Sequence, residues 1–285
     1  MNNYQIITDS GCDLPKSMLS SLNIRLQPLL VNFRGQTLED SVDDGIQEVY
    51  AGLRAGDVAT TSAINPEGWK TVIEPVLKEG KDALVVTFSS GLSTTYQSAV
   101  IAADELLETY PDRKIRVVDS RAASLGQGLL MNYICTKRDE GLDLDALADW
   151  VEENRLKLCH WFTVDNLMFL KRGGRVSAAT ALVGTMLQIK PVLHVDDEGH
   201  LINMSKARGR KASILALAAK LQEAGMQNDV AYICHGDCLE DAQYLADYLK
   251  ANCGVKEVFI GYTGAVIGSH SGPGTLAVFY LGNNR

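Results

Sequence analysis

Small hydroxyl groups gather at a few points of this chain, and their company suggests what they are for. Residues 89–95, Ser89-Ser90-Gly91-Leu92-Ser93-Thr94-Thr95, carry five serine or threonine hydroxyls in seven positions. Thr8-Asp9-Ser10, Thr60-Thr61-Ser62 and Asp119-Ser120 are smaller clusters of the same kind. Ser, Thr and Asp are preferred helix N-caps, but a cap needs one such residue and these clusters carry two to five. Neutral donors beside a helix N-terminus suit an anion, because the unpaired N–H groups and the dipole there already favour negative charge.

Other chemistries fit less well. Ser93 fails the G-x-S-x-G nucleophile elbow, since Thr95 stands where the last glycine belongs. A hydrolase would pair Ser93 with His270, the one histidine in a glycine-rich loop ("GSHSGPG"), and with Asp9 or Asp119 as orienting carboxylate. Cys234-His235-Gly236-Asp237-Cys238 gathers metal-ligand types but has no second cluster at zinc-site spacing, so no metal is expected. Neither a Walker A loop nor G-x-G-x-x-G occurs, which leaves nucleotide binding without support.

Composition narrows the class. The chain has 285 residues, 46% of them hydrophobic, and a net charge of −8, which argues against nucleic acid as the main partner. Positive charge is concentrated locally in "FLKRGGRVS" and "SKARGRKAS", so an anionic ligand or partner stays open. The N-terminus shows no basic region followed by an apolar one, and no apolar run approaches the length of a membrane span. Six scattered cysteines with no targeting signal read as reduced thiols, and the expected location is cytoplasmic.

The elements that must position these residues follow from hydrophobic periodicity. "YQIIT", "IRLQPLLVNF", "DALVVTF" and "KIRVV" read as strands, with helical spacing over residues 66–78, 94–109 and 122–139. This alternation predicts an α/β fold: a mostly parallel sheet with helices on both faces, whose strand ends share one edge. The amphipathic stretch "LDLDALADWVEENRLKL" leads to a boundary at 155–160, dividing an N-terminal α/β domain (1–157) from a smaller mixed-sheet α+β domain (158–285). In the latter, "KPVLHVDDEGHLINMSKAR" reads as a hairpin turning at Asp197-Glu198-Gly199. Helices over 210–224 and 239–251 alternate with the strands "VAYIC", "EVFIGY" and "LAVFYL".

The ordered set of motifs resembles the DegV family, fatty-acid-binding proteins that include the acyl-carrying subunits of bacterial fatty acid kinases. The set comprises Thr8-Asp9-Ser10, Thr61-Ser62 before a proline, "SSGLSTTYQSA", Asp119-Ser120, "FLKRGGRVS", Lys190-Pro191 and "IGSHSGPGTLAV". The resemblance implies two α/β domains with a long apolar tunnel at their junction, closed at one end by polar residues. It implies a carrier rather than an enzyme, with a long-chain fatty acid such as palmitate as its ligand and no cofactor. The carboxylate would be held by Thr61, Ser62, Ser93 and Thr94, with His270 close to it. An ATP-using kinase subunit is the implied partner, and Arg172, Arg175, and Arg208 or Arg210, are candidate contacts for it or its phosphate. Residues 181–193 ("ALVGTMLQIKPVL") are a candidate tunnel wall. One departure stands out: Thr94 occupies a position where the family usually has glycine.

Overall fold

The computed structural model describes residues 3–176 and 188–285. Its first half is organised by a four-stranded parallel sheet in the order β2-β1-β6-β7, formed by Tyr4–Asp9 (β1), Ile24–Gln27 (β2), Asp82–Thr87 (β6) and Ile115–Asp119 (β7). Alternation decides which side chain meets which layer. Ile6, Leu84, Val86 and Val118 face one core, and Ile7, Ala83 and Val85 face another. The second core is covered by helices Ile46–Ala55 (α2), Pro66–Lys78 (α3) and Thr95–Thr109 (α4). A short helix, Lys16–Ser21 (α1), links β1 to β2.

The expected strand "IRLQPLLVNF" is two strands in two sheets. Pro28 has no N–H to give to a ladder, and the chain leaves the parallel sheet there. The next amide, Leu29, donates to the Ser10 hydroxyl at 2.9 Å instead of to a strand. Leu30–Phe33 (β3) then joins Gln36–Glu39 (β4) and Ala59–Ser62 (β5) in a small antiparallel sheet, ordered β4-β3-β5. Thr61 and Ser62 therefore sit on an antiparallel strand, not at the carboxyl edge of the parallel sheet.

From Leu158 onward the strands form a six-stranded mixed sheet in the order β10-β9-β8-β13-β11-β12. Its members are Leu158–Thr163 (β8), Ile189–Val195 (β9), Leu201–Arg208 (β10), Val230–His235 (β11), Glu257–Tyr262 (β12) and Leu276–Leu281 (β13). The hairpin β9-β10 turns at the expected place, with Gly199 in the left-handed region at φ 84°. Helices Arg210–Gln222 (α8) and Leu239–Asn252 (α9) cover one face of this sheet. The other face meets Leu125–Asp139 (α5).

Helix α5 joins the two halves. It is buried nearly all round from Leu125 to Met131, as expected of a helix packed on both sides. One side meets the parallel sheet and the other meets β8, β11 and β13. A methyl group on Gly126 would lie 2.3 Å from His160 Nε2, and one on Gly128 would lie 2.7 Å from the Cys12 carbonyl, so both positions require glycine. Leu144–Asn154 (α6) packs beside α5, and two short helices complete the frame: Met168–Arg172 (α7) and Ala265–Ser271 (α10). His270 lies in the last turn of α10 rather than in a loop.

Candidate functional site

A cavity of about 370 Å³ opens between the two sheets, within the size range of small-molecule sites. The N-terminal half contributes residues 61–63, Phe88 and residues 90–94, and the C-terminal half contributes β8, β13 and α10. Phe88 and Ser90 bring it to the chain just past β6, one of the two strands between which the parallel sheet reverses its winding, the usual ligand position in such sheets. Its walls are largely apolar, with Leu29, Leu92, Phe162, Val266, Ile267 and Phe279 among the contributors. Polar groups concentrate at one end.

At that end Thr61 Oγ1 lies 2.8 Å from His270 Nε2. The other ring nitrogen, Nδ1, is buried against Gly173 with no hydrogen-bond partner among the described residues. A buried N–H without an acceptor is rarer and costlier than a bare acceptor, which assigns the proton to Nε2. His270 then donates to Thr61, and the Thr61 O–H is left to donate into the cavity. Burial, with the positive charge of Arg175 nearby, pulls the His270 pKa down to about 4, so the ring is neutral at ordinary pH.

The hydroxyl-rich turn divides in two. Ser89 donates to the Gly199 carbonyl at 2.9 Å, and Ser90 donates to Asp119 at 2.6 Å. Both therefore fasten the turn, one to the β9-β10 hairpin and the other to the end of β7. Gly91 packs directly on that hairpin, where a Cβ would come within 2.7 Å of the Gly199 carbonyl oxygen. Past Leu92 the roles change. Ser93 Oγ accepts the Thr95 N–H at 3.2 Å, capping α4, and lies 2.8 Å from Thr95 Oγ1. With Thr95 as donor in that pair, the Ser93 proton is available to a ligand.

Thr94 borders the cavity and makes no side-chain cap bond. Its backbone, at φ −78° and ψ 6°, is open to any residue, so threonine costs no left-handed strain at a position where the resemblance expects glycine. Ser62 also borders the cavity and is exposed, its hydroxyl 3.5 Å from Asn32 Nδ2.

The arginines separate. Arg175 lines the cavity, half-buried, with Nε donating to the Leu92 carbonyl at 3.3 Å and Nη1 to the Gly173 carbonyl. Burial lowers its pKa. Arg172 is exposed, its guanidinium 4.9 Å from the Phe169 ring centroid, and Arg208 is exposed at the end of β10. Arg210 is held by Asp241 at 2.8 Å. Of the candidate wall 181–193, residues 181–187 lie outside the described residues, while Leu193 on β9 belongs to the core against α5.

No hydrolase triad assembles from the candidate residues. His270 bonds Thr61, and Ser93 bonds Thr95. Asp9 is buried beneath the turn, accepting from the amides of Phe88 and Gly11, and Asp119 is bonded to Ser90. Among the described residues no group of three or more potential ligands is placed to hold a metal ion. None of their helices is long and apolar enough to cross a membrane.

Sequence reasoning missed most of the apolar wall. Its one legible signal was alternation in "LAVFYL", which puts Ala277 and Phe279 on the same face of β13. Leu29, Val266 and Ile267 come from loop and helix positions that carry no such pattern.

A family model described as an uncharacterised protein of the DegV family matches residues 3–283. The chain belongs to the DegV family. A DegV domain-containing protein of Clostridium perfringens, CPE0026, is 45% identical, the alignment covering 100% of this chain and 99% of that one. A Thermus thermophilus DegV family protein, whose structure is described as showing fatty acid binding, is 33% identical with a TM-score of 0.89, covering 98% of this chain and 99% of that one. The hypothetical protein TM841 of Thermotoga maritima, whose structure is described as revealing fatty acid binding function, is 30% identical with a TM-score of 0.86, covering 99% and 100%. This DegV chain thus shares its two-domain α/β fold with these relatives along its whole length.

Proposed function

We propose that the protein is a carrier that binds a long-chain fatty acid such as palmitate in this cavity. The observation that carries the reading is an apolar cavity with a neutral, hydroxyl-rich end, where Thr61 is oriented by His270. The fatty acid binding described for the Thermus and Thermotoga relatives supports it.

In this reading the alkyl chain supplies affinity and the polar end supplies orientation. Each buried methylene contributes about 0.8 kcal/mol, so ten contribute roughly 8 kcal/mol before ordering costs. The carboxylate needs donors enough to offset its lost hydration. Thr61, Ser62, Ser93 and Thr94 supply hydroxyls, and His270 polarises the first of them. Arg175 adds a positive field while two of its nitrogens are engaged by carbonyls. A carboxylate held by hydroxyls keeps more nucleophilicity than one locked in a bidentate arginine pair. That suits presentation to an ATP-using kinase subunit in the cytoplasm, with the exposed Arg172 and Arg208 as contacts for it. The protein itself contributes no catalytic group in this scheme.

Native mass spectrometry of the purified protein, followed by solvent extraction, tests the reading. A co-purifying mass in the range of a C14–C18 fatty acid is the expected result. Absence of such a mass, together with failure to bind added fatty acid, overturns it.

A further inference from the structure

Helix α10 belongs by sequence to the C-terminal half but is built into the core of the N-terminal one. It connects β12 to β13, yet Ala265 and Val266 pack in the core that holds Ile7, Leu29, Val31 and Tyr50. Val266, Ile267 and His270 line the cavity. Residues four apart share a helix face, so Val266 and His270 stand about one turn apart on the side that meets the ligand space.

The residue before α10 is Gly264, which has no side chain with which to cap it. The cap comes from 226 positions away, where Asp40 Oδ1 accepts the Val266 N–H at 3.0 Å. An oxygen there satisfies one of the amides that a helix N-terminus leaves unpaired. Asp40 is buried and held in turn: Oδ2 accepts from the Ser10 hydroxyl at 2.8 Å, and its own amide donates to the Leu29 carbonyl at 2.9 Å. Ser10, from the hydroxyl cluster at the end of β1, therefore braces the cap. Tyr50 adds a second grip, donating to the Thr263 carbonyl at 2.9 Å, and a methyl group on Gly268 would lie 2.5 Å from the Tyr50 oxygen.

At its other end α10 offers His270 to Thr61 on β5, again in the N-terminal half. The helix is thus fastened at both ends to the half it does not belong to. A shift of about 1 Å away from β5 would take the 2.8 Å contact between Thr61 and His270 out of hydrogen-bond range. Neither Asp40 nor Tyr50 lines the cavity, so their influence on it passes through the helix.

We infer that Asp40 is the positioning residue of the carboxylate end: by capping α10 from the opposite half of the molecule, it sets where His270 meets Thr61. The inference rests on the fatty-acid reading and deepens it by naming what holds the head-group histidine in place.

The test measures palmitate dissociation constants, and the titration of the His270 ring by NMR, on wild type, Asp40→Ala, Asp40→Asn, Ser10→Ala and Ile73→Ala. Ile73 lies on α3 in the same core and does not line the cavity, so it is the control for lost stability alone. The His270 ring faces the Thr61 hydroxyl and the Cα of Gly173; burial, with the positive charge of Arg175, holds its pKa at about 4 against an ordinary 6.5. Asp40→Ala should bind palmitate about tenfold more weakly. Its His270 should titrate nearer 6.5, because the freed helix lets water reach the ring. Asp40→Asn keeps an acceptor for the Val266 N–H and should stay within about twofold of wild type, with His270 unmoved. Ser10→Ala leaves Asp40 unbraced and should weaken binding about threefold, with a smaller rise in the His270 pKa. Ile73→Ala should lower stability and leave both readouts as in wild type. An Asp40→Ala protein that folds and matches wild type in both readouts overturns the inference and leaves the carrier reading intact. So does an Asp40→Asn protein no better than Asp40→Ala, or an Ile73→Ala loss of affinity as large as that of Asp40→Ala. If Asp40→Ala does not fold, Ser10→Ala decides, and unchanged affinity with an unmoved His270 overturns the inference. Failure of wild type to bind palmitate overturns both readings.

Discussion

Ser89 and Ser90 occupy the same turn as Ser93 and Thr94, yet the two pairs do different work. The first pair is tied to protein, although Ser90 also borders the cavity: one hydroxyl holds the Gly199 carbonyl and the other holds Asp119. The second pair borders the cavity, where Ser93 caps α4 through the Thr95 amide and Thr94 makes no cap bond. A run of hydroxyls is thus a fastening followed by a binding edge, and Gly91 marks the change because its bare Cα lets the turn lie on the hairpin. Chemical type alone does not separate the two roles; hydrogen-bond partners do.

The fastening half is the more costly to disturb, and pH reaches it first. Asp9 accepts the Phe88 amide at 2.7 Å, the residue just before the turn. Burial pushes the Asp9 carboxyl up from 3.8 to about 7, despite the opposing pull of the Phe88, Gln127 and Gly11 hydrogen bonds. A carboxyl raised in the folded state contributes stability that is fully present below about 3.8 and lost as pH rises to about 7. The buried histidines act in the opposite sense, since His160 and His270 are held below 6.5 and lose stability as pH falls. The difference between wild type and Asp9→Asn isolates the carboxyl. Denaturant unfolding should show wild type losing roughly 4 kcal/mol relative to the variant between pH 4 and pH 8. A pH-independent difference would refute this account of Asp9.

Ser90→Ala sharpens the same half at smaller cost. It removes a 2.6 Å bond to the buried Asp119, and hydrogen bonds to charged groups contribute about 2 kcal/mol. Stability should fall by that amount in urea titrations, with fatty acid affinity changing by no more than about twofold. Thr61→Val is the converse. It should weaken fatty acid binding about tenfold, or ~1.4 kcal/mol, and lower stability by less than about 1 kcal/mol. If Ser90→Ala costs affinity and Thr61→Val does not, the division of roles is inverted.

How much of this was legible in the sequence depends on the kind of contact. The periodic elements were, because burial on one face imposes its own spacing: strands β1, β6 and β7, the hairpin at Gly199, and helices α3, α8 and α9 follow directly. That Thr61, Ser62, Ser93, Thr94 and His270 share one neighbourhood was also legible, since all border the cavity. Their individual partners were not. The bond between Thr61 and His270 joins residues 209 positions apart through a small antiparallel sheet that one proline sets up at position 28. The placement of Arg175 depends on the carbonyls of Leu92 and Gly173, and backbone acceptors leave no trace in side-chain identity.

Thr94 gives the smallest expected effect and the finest test of the comparison. Its backbone angles suit any residue, so Thr94→Gly relieves no strain. The side chain caps nothing, so the stability cost is that of a more flexible unfolded chain, at most about 1 kcal/mol. What the variant removes is one hydroxyl and one methyl from the cavity edge. With Thr61 and Ser93 still in place, fatty acid affinity should drop by about two- to threefold, well short of the Thr61→Val loss. Titration of wild type and variant with the same fatty acid distinguishes the outcomes. A tenfold loss would make Thr94 a principal donor and would move the binding edge one residue along α4. A gain in affinity would mean that the threonine side chain crowds the carboxylate, and that glycine at this position serves access rather than backbone freedom.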